Sequence, residues 1–431
     1  MKKKNTLWQK ALFGALLFLV LALPVPVFAS GSAVRVTVNG KLSGTLEKKR
    51  GGWYLECQDL KISRKKADQR VVRLQARGKG PFQSGFYYCG KSGRLDTRKR
   101  FHALNTKAGG RRFLGTYYFG GKNGRLYEKK GWVAVRGRRY CLSSRGRMYQ
   151  NCWRKGYYFD GRGRIAKSTR TPDGRYVDCD GKRCKKEEVA LSGLKKSLNA
   201  TISQLGGTMW SVYVKDLKTG DVLSINEKAT YPASVCKLFV MEGVYDAIQK
   251  GQIAKTSGVD GLLRSMITVS DNEAYNQLLC ILGKGDFVAG CANLNAYLRT
   301  AGYTHSGCHH TIHPSSSPRM GDGQLNVGMA LETGLLLERI YKGTCVSKAY
   351  SREMENLLLL QRVRGKIPAG LPAGVRCGNK TGESGVYQHD AAIVYGPRTH
   401  YVVCIYSVSS EQAGISGIRR LSSQIYHALN R

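Results

Sequence analysis

The sequence predicts an α+β chain: an all-β region of hairpin repeats, then one antiparallel five-stranded sheet with flanking helices plus an all-helical lobe. Three observations predict it. Between residues 87 and 182 a tyrosine-rich pair or triplet recurs, each time followed by a Gly-Arg or Gly-Lys turn. Beyond residue 187 the apolar spacing reads as two strands, a run of helices, three strands and a closing helix. The 431 residues are also enough for two or three domains. The divisions expected are a leader over 1–29, the repeats over 30–186 and the mixed domain over 187–431.

The leader follows export grammar. Lys2, Lys3 and Lys4 precede an apolar stretch, Ala11 to Leu23, too short to span a bilayer comfortably, and Val27-Phe28-Ala29 stand before Ser30. An uncleaved anchor is the alternative, disfavoured by Pro24 and Pro26. The expectation is a signal peptide and a secreted, cell-wall-associated protein.

In the repeat region Val34 to Val38 alternate as a strand, with Asn39-Gly40 as a hairpin turn. The units that follow are Tyr87-Tyr88-Cys89 with Gly93-Arg94-Leu95, Tyr117-Tyr118-Phe119 with Gly124-Arg125-Leu126, Tyr140-Cys141-Leu142 with Gly146-Arg147-Met148, and Tyr157-Tyr158-Phe159 with Gly163-Arg164-Ile165. Tyr176-Val177 with Gly181-Lys182 is a faint fifth. One such hairpin cannot bury its own apolar face, but stacked copies can. Residues 30–186 hold 41 Lys and Arg against 10 Asp and Glu, a balance of +31, whereas 187–431 hold 25 against 19, only +6. That asymmetry implies an anionic partner. Export argues against nucleic acid and points to an anionic wall polymer or a membrane surface. The units resemble the cell-wall-binding repeats of secreted Gram-positive proteins, akin to choline- and glucan-binding modules. That resemblance does not name the ligand, and each aromatic could equally be inter-repeat core.

Thirteen cysteines is an odd count, so at least one thiol is free or pairs between chains. Cys179 and Cys184, flanking Asp180-Gly181, are the expected local pair. No two-plus-two Cys/His spacing suggests a metal, and neither a metal nor another cofactor is expected.

The chemistry centres on Tyr231-Pro232-Ala233-Ser234-Val235-Cys236-Lys237. Leu238, Phe239, Met241, Val244, Tyr245 and Ile248 follow at helical spacing, which puts Ser234 at a helix start and Lys237 one turn on, beside its hydroxyl. A serine needs a base to take its proton. A lysine can serve only with a lowered pKa. Alone, this S-x-x-K pattern is also what a capping serine and a surface lysine look like. Ser270-Asp271-Asn272 lies between two helical runs, and Lys380-Thr381-Gly382 lies in a strand-like stretch.

In that order the three motifs resemble the penicilloyl-serine family, class A β-lactamases and penicillin-binding proteins, over roughly residues 190 to 431. The resemblance implies the same β-lactamase-like fold. It also implies that Ser234 is acylated, Lys237 activates it and Ser270 relays a proton to the leaving nitrogen. Asn272, Lys380 and Thr381 would bind substrate, Gly382 would let it approach the strand, and the N–H groups of Ser234 and Glu383 would form the oxyanion hole. Lys380 is expected to keep Lys237 neutral by like-charge repulsion. The partner implied is a β-lactam or a peptidoglycan stem peptide.

One departure stands out. The family's class A members carry a loop glutamate that activates the deacylating water, yet no Asp or Glu occurs from Phe287 to Gly321. His309-His310-Thr311-Ile312-His313 fall about there, with His313 nearest the glutamate's place and a plain surface loop the favoured reading. Two functions remain: a serine hydrolase (β-lactam hydrolysis, D,D-peptidase activity or both) and a non-catalytic wall-binding adhesin or sensor using the same fold for ligand capture.

Overall fold

The computed structural model describes residues 33–49, 51–57, 71–76, 80–90, 92–312 and 323–431. The expected leader and His313 lie outside them. The chain divides into two units, Met1–Gln150 and Asn151–Arg431. Among the described residues no helix is long and apolar enough to cross a membrane.

The first unit is built of hairpins. Five antiparallel strands pair in the order Gly52–Glu56, Leu42–Lys49, Val34–Val38, Val71–Ala76 and Gly85–Tyr88. Two long hairpins follow, Arg100–Ala108 with Arg111–Phe119 and Gly131–Val135 with Arg138–Leu142. Val38 pairs with Leu42, so the first turn holds three residues rather than the two expected, with Asn39 and Gly40 both left-handed at φ 51° and 83°.

The repeat has a physical rule. Three of the four Gly-Arg turns pair with an aromatic of the preceding hairpin: Arg94 with Tyr54, Arg125 with Tyr87, Arg147 with Tyr117. Each arginine then lies across a glycine two residues before that tyrosine. A Cβ on Gly52, Gly85 or Gly115 would fall 2.7–2.8 Å from the side chain of Arg94, Arg125 or Arg147. The aromatics fill the layers between hairpins: Phe82 and Tyr87 in one, Phe86, Phe113, Tyr117 and Phe119 in the next, Tyr118 with Leu142 and Met148 in a third. These rings are core.

The second unit begins with the hairpin Cys152–Arg154/Tyr157–Phe159 and the three short strands Thr169–Arg170, Tyr176–Val177 and Arg183–Cys184. The faint fifth repeat is therefore a real hairpin, with Tyr176 opposite Cys184. The expected Cys179–Cys184 bond is not formed, and all thirteen cysteines are thiols.

The mixed domain contains strands β1 (Met209–Asp216), β2 (Val222–Ile225), β3 (Arg376–Ser384), β4 (Tyr387–Tyr395) and β5 (His400–Val408), antiparallel in the order β2-β1-β5-β4-β3. The expected five-stranded sheet is present. Helices α1 (Ser192–Ile202) and α8 (Glu411–Asn430) cover one face, burying Leu198, Ile418, Leu421 and Ile425 against Trp210, Val212, Val403 and Ile405. The helix expected from Glu187 starts later. Glu188 accepts a hydrogen bond from the Lys185 amide, closing a separate 3-10 turn over Lys186–Glu188.

The other face carries α2 (Lys237–Gln249), α3 (Ser257–Thr268), α4 (Asn272–Leu282), α5 (Phe287–Thr300), α6 (Ala330–Tyr341) and α7 (Lys348–Leu359). Nearly every residue of α2 is buried, which marks it as the lobe's central helix. The helices around it are capped by Thr256, Asp271, Asp286 and Ser347, whose side chains accept backbone N–H bonds.

Candidate active site

Three segments meet where α2, the turn before α4, and β3 converge. The first turn is tighter than a helix start. Ala233–Cys236 form a 3-10 turn, and α2 proper begins at Lys237. Ala233 is left-handed at φ 46°, and so is Ser270 at φ 62°. Such conformations cost roughly 1–3 kcal/mol each and persist where surrounding structure imposes them. Here they aim the two hydroxyls of the site. Asp271 explains its own place in the motif: it caps α4 through the Ala274 amide at 2.7 Å.

Lys237 is 0% exposed. Its Nζ lies 3.1 Å from Ser234 Oγ, 2.7 Å from the Ser270 carbonyl, 2.7 Å from Asn272 Oδ1 and 3.3 Å from Ser270 Oγ. A carbonyl and a carboxamide oxygen can only accept. A neutral amine therefore spends its two protons on them and turns its lone pair toward the hydroxyls. Burial lowers the Lys237 pKa to about 8. The amine is thus close to the range in which a lysine can take a proton.

Lys380, also 0% exposed, donates to Ser270 Oγ at 2.9 Å and to the Thr381 carbonyl at 2.7 Å. Ser270 Oγ accordingly sits between two lysine nitrogens. Burial first and the Lys237 charge second hold the Lys380 pKa well below normal. Burial likewise depresses the Lys237 pKa, and the repulsion between the two lysines, being mutual, disfavours the doubly charged pair.

Gly382 is where the serine turn leans on the strand. A Cβ there would fall 2.7 Å from the Pro232 carbonyl and 3.1 Å from the Val235 amide, so only glycine fits. Along a strand, residues two apart direct their backbone groups to the same edge. The Thr381 carbonyl faces Lys380, so the Glu383 N–H shares that edge. Ser234 is half-buried and Thr381 buried, while Glu383 is exposed. All eight sequence-predicted residues come together: Ser234, Lys237, Ser270, Asn272, Lys380, Thr381, Gly382 and Glu383.

His309 to Ile312, the described part of the histidine stretch, are not the surface loop expected. His309 is buried, and its amide and that of His310 donate to Asn326 Oδ1 at 2.7 and 3.0 Å. Asn276 on α4 donates to the Ile312 carbonyl at 2.9 Å and accepts from its amide at 3.1 Å. The His310 ring stacks on Tyr231 at 5.9 Å, which sets it beside the serine segment.

Sequence reasoning missed several residues that hold the site. His389 lies on β4 opposite Gly382. Its Nδ1 accepts from the Ser407 amide at 3.2 Å, so Nε2 carries the proton and donates to the Tyr231 carbonyl at 2.9 Å. Burial lowers its pKa to about 4, keeping the ring neutral. Lys366, buried behind β3, gave no sequence signal because it lies outside any periodic run.

The family model described as the beta-lactamase enzyme family matches residues 193–260 and 253–429, together more than half of the chain. No curated protein matches the sequence. Similar solved structures include PBP-A, 20% identical over 55% of this chain and 96% of that one, with TM-score 0.49. A β-lactamase from Chitinophaga pinensis is 19% identical over 55% and 100%, TM-score 0.49. An ancestral class A β-lactamase is 23% identical over 55% and 99%, TM-score 0.47. With its motifs assembled and residues 193–429 matched by that family model, the chain belongs to the beta-lactamase enzyme family.

Proposed function

We propose that the protein is an exported serine hydrolase, acylated at Ser234 by β-lactams or by D-Ala-type amides of peptidoglycan stem peptides. One observation carries the reading: Ser234 Oγ lies 3.1 Å from the Nζ of a fully buried lysine whose pKa is lowered to about 8. Neutral Lys237 takes the Ser234 proton as the oxygen attacks the substrate carbonyl. The oxyanion is held by the N–H groups of Ser234 and Glu383, each such donor being worth roughly 3 kcal/mol. Ser270, bridging Lys237 and Lys380, hands a proton to the leaving nitrogen, which breaks the amide and leaves the acyl-enzyme. Lys380 and Thr381 receive the substrate carboxylate, and Asn272 its side-chain amide. Water then releases the acid.

A labelled penicillin should add one acyl group to the peptide containing Ser234, and Ser234→Ala should abolish it. Label on Cys236 instead, a buried thiol next to Lys237, would overturn the assignment.

Residues 30–186 hold the enzyme at an anionic cell-wall polymer in this reading, on the strength of their +31 balance. Charge contacts weaken as the Debye length shrinks to about 3 Å at 1 M salt. Undiminished retention of the full chain on wall material at that salt would reject charge as the cause.

A further inference from the structure

The reaction proposed above leaves one deeply buried cation unused. Lys366, on the loop between α7 and β3, is 1% exposed. Its Nζ donates to the carbonyls of Gly382 at 3.1 Å and His389 at 3.2 Å, and pairs with Glu383 Oε1 at 2.9 Å. Gly382 and His389 face each other across β3 and β4. One ammonium thus spans a single rung of the sheet and reaches the carboxylate next to it.

The sides of β3 fix what this does. The Cβ direction of Gly382 points at Pro232 and Val235, toward the serine turn. The next side chain along a strand points to the opposite face, so Glu383 points away from Ser234. Lys366 is on that far side. Its neighbour Ile367 packs in the cluster of α8, its amide donates to Asp390 at 2.8 Å and its carbonyl accepts from Ser422 Oγ at 2.9 Å.

Glu383 is a poor choice on electrostatic grounds. Its amide belongs to the edge where negative charge develops, yet its side chain is itself an anion, 48% exposed at the rim of the site. A carboxylate free to turn to that edge would oppose both the oxyanion and the carboxylate of the substrate.

We propose that Lys366 is a positioning residue: it draws the Glu383 carboxylate to the face of β3 turned from Ser234 and neutralises it. The Glu383 N–H then serves an anion while the charge of its own side chain is held off. This rests on the serine-hydrolase reading. It implies that Lys366 acts through Glu383 and never touches substrate.

The test is a double-mutant cycle in the full chain, read by the acylation rate with benzylpenicillin. Lys366→Met keeps the length of the side chain and buries no unpaired charge. It should slow acylation about tenfold, less than the roughly 10²–10³-fold lost with a whole oxyanion donor. Adding Glu383→Gln should restore the rate to within about threefold, because the offending charge is gone. The Lys366→Met deficit should also shrink at 1 M salt, where the Debye length is about 3 Å. A double variant as slow as Lys366→Met, or a deficit indifferent to salt, would overturn the proposal and leave Lys366 a plug for two carbonyls. If Lys366→Met does not fold, Lys366→Gln, which can still donate to a strand carbonyl, takes its place in the cycle: a deficit that Glu383→Gln reverses supports the proposal, and one it leaves in place overturns it. Thermal unfolding of the same variants reads the pair without chemistry, non-additive losses supporting it and additive ones opposing it. An unaltered chain that takes no acyl label would count against the hydrolase reading, while the unfolding cycle would still decide the pair.

Discussion

The hairpin array and the mixed domain use the same kind of residue in opposite ways. In the array the recurrent arginines, Arg94, Arg125 and Arg147, lie across glycines of the preceding hairpin, and most of the other cations are solvated. They remain charges. In the mixed domain Lys237, Lys366 and Lys380 are 0–1% exposed, and burial pushes the pKa of each down. Two of them hold the hydroxyls of the site and one holds its strand. Burial decides whether a cation serves as an electrostatic surface or as a base and a clamp. A net charge read from composition finds the first use and is blind to the second.

The sharpest way to break that comparison is to ask whether the buried lysines suffice for the whole catalytic cycle. No carboxylate occurs from Phe287 to Gly321, and Glu332, which reaches into this stretch, is occupied by the Thr304 and His305 amides and the Ser306 hydroxyl at 2.7–2.9 Å. Without a dedicated base, deacylation should be slower by about 10²- to 10⁴-fold. A chromogenic cephalosporin should give a rapid burst of one equivalent followed by a slow steady rate. A steady rate as fast as the burst rejects the expectation and makes the lysines, or the histidine loop, sufficient. Slower turnover in His313→Ala would name the replacement.

A second effect is about tenfold per pH unit. The pKa of Lys237 is lowered, and its working form is the neutral amine, so activity is lost as pH falls. With a pKa of about 8, roughly a tenth of the amine is neutral at pH 7. Acylation should rise about tenfold from pH 6 to 7, continue to rise to about 8 and then level. Lys380 works in the opposite sense, since its charge receives the substrate carboxylate and its pKa is lowered too. Apparent affinity should therefore weaken at the alkaline end while the maximal rate holds. A rate flat between pH 6 and 8 would show that Lys237 is not the base.

How far the sequence showed all this depends on how local each signal is. Ser234 and Lys237 are one turn apart, Asp271 caps its own helix and Gly382 sits in an obvious strand, so each could be read from its neighbours. The five strands and their order of appearance were legible for the same reason. Lys366 and His389 were not, because their partners are carbonyls 16 to 158 residues away, set by sheet register and by the packing of the serine turn. The late start of α1 turned on one hydrogen bond from Lys185 to Glu188. In the array, the repeats were legible but the glycine under each arginine was not: it belongs to the hairpin before.

That glycine gives the smallest effect. Gly115 has φ +112°, a region closed to side chains, and a Cβ there would fall 2.8 Å from Arg147 Nε. Gly115→Ala therefore meets two costs. The backbone cost is about 1–3 kcal/mol, partly offset by the roughly 0.4–1 kcal/mol that alanine gains by restricting the unfolded chain. The steric cost is small, because an arginine head can move aside. A net loss of about 1–2 kcal/mol should lower the melting of this unit by several degrees, about 2–4 °C per kcal/mol for a unit of this size. Arg147→Ala in the same chain separates the two costs: the steric part vanishes and the backbone part stays. Acylation at Ser234 should be unchanged, since Gly115 meets only residues of the array. A glycine replaced without any loss of stability would show that the arginine ladder does not hold the hairpins together, and that the cations of the array are free to bind after all.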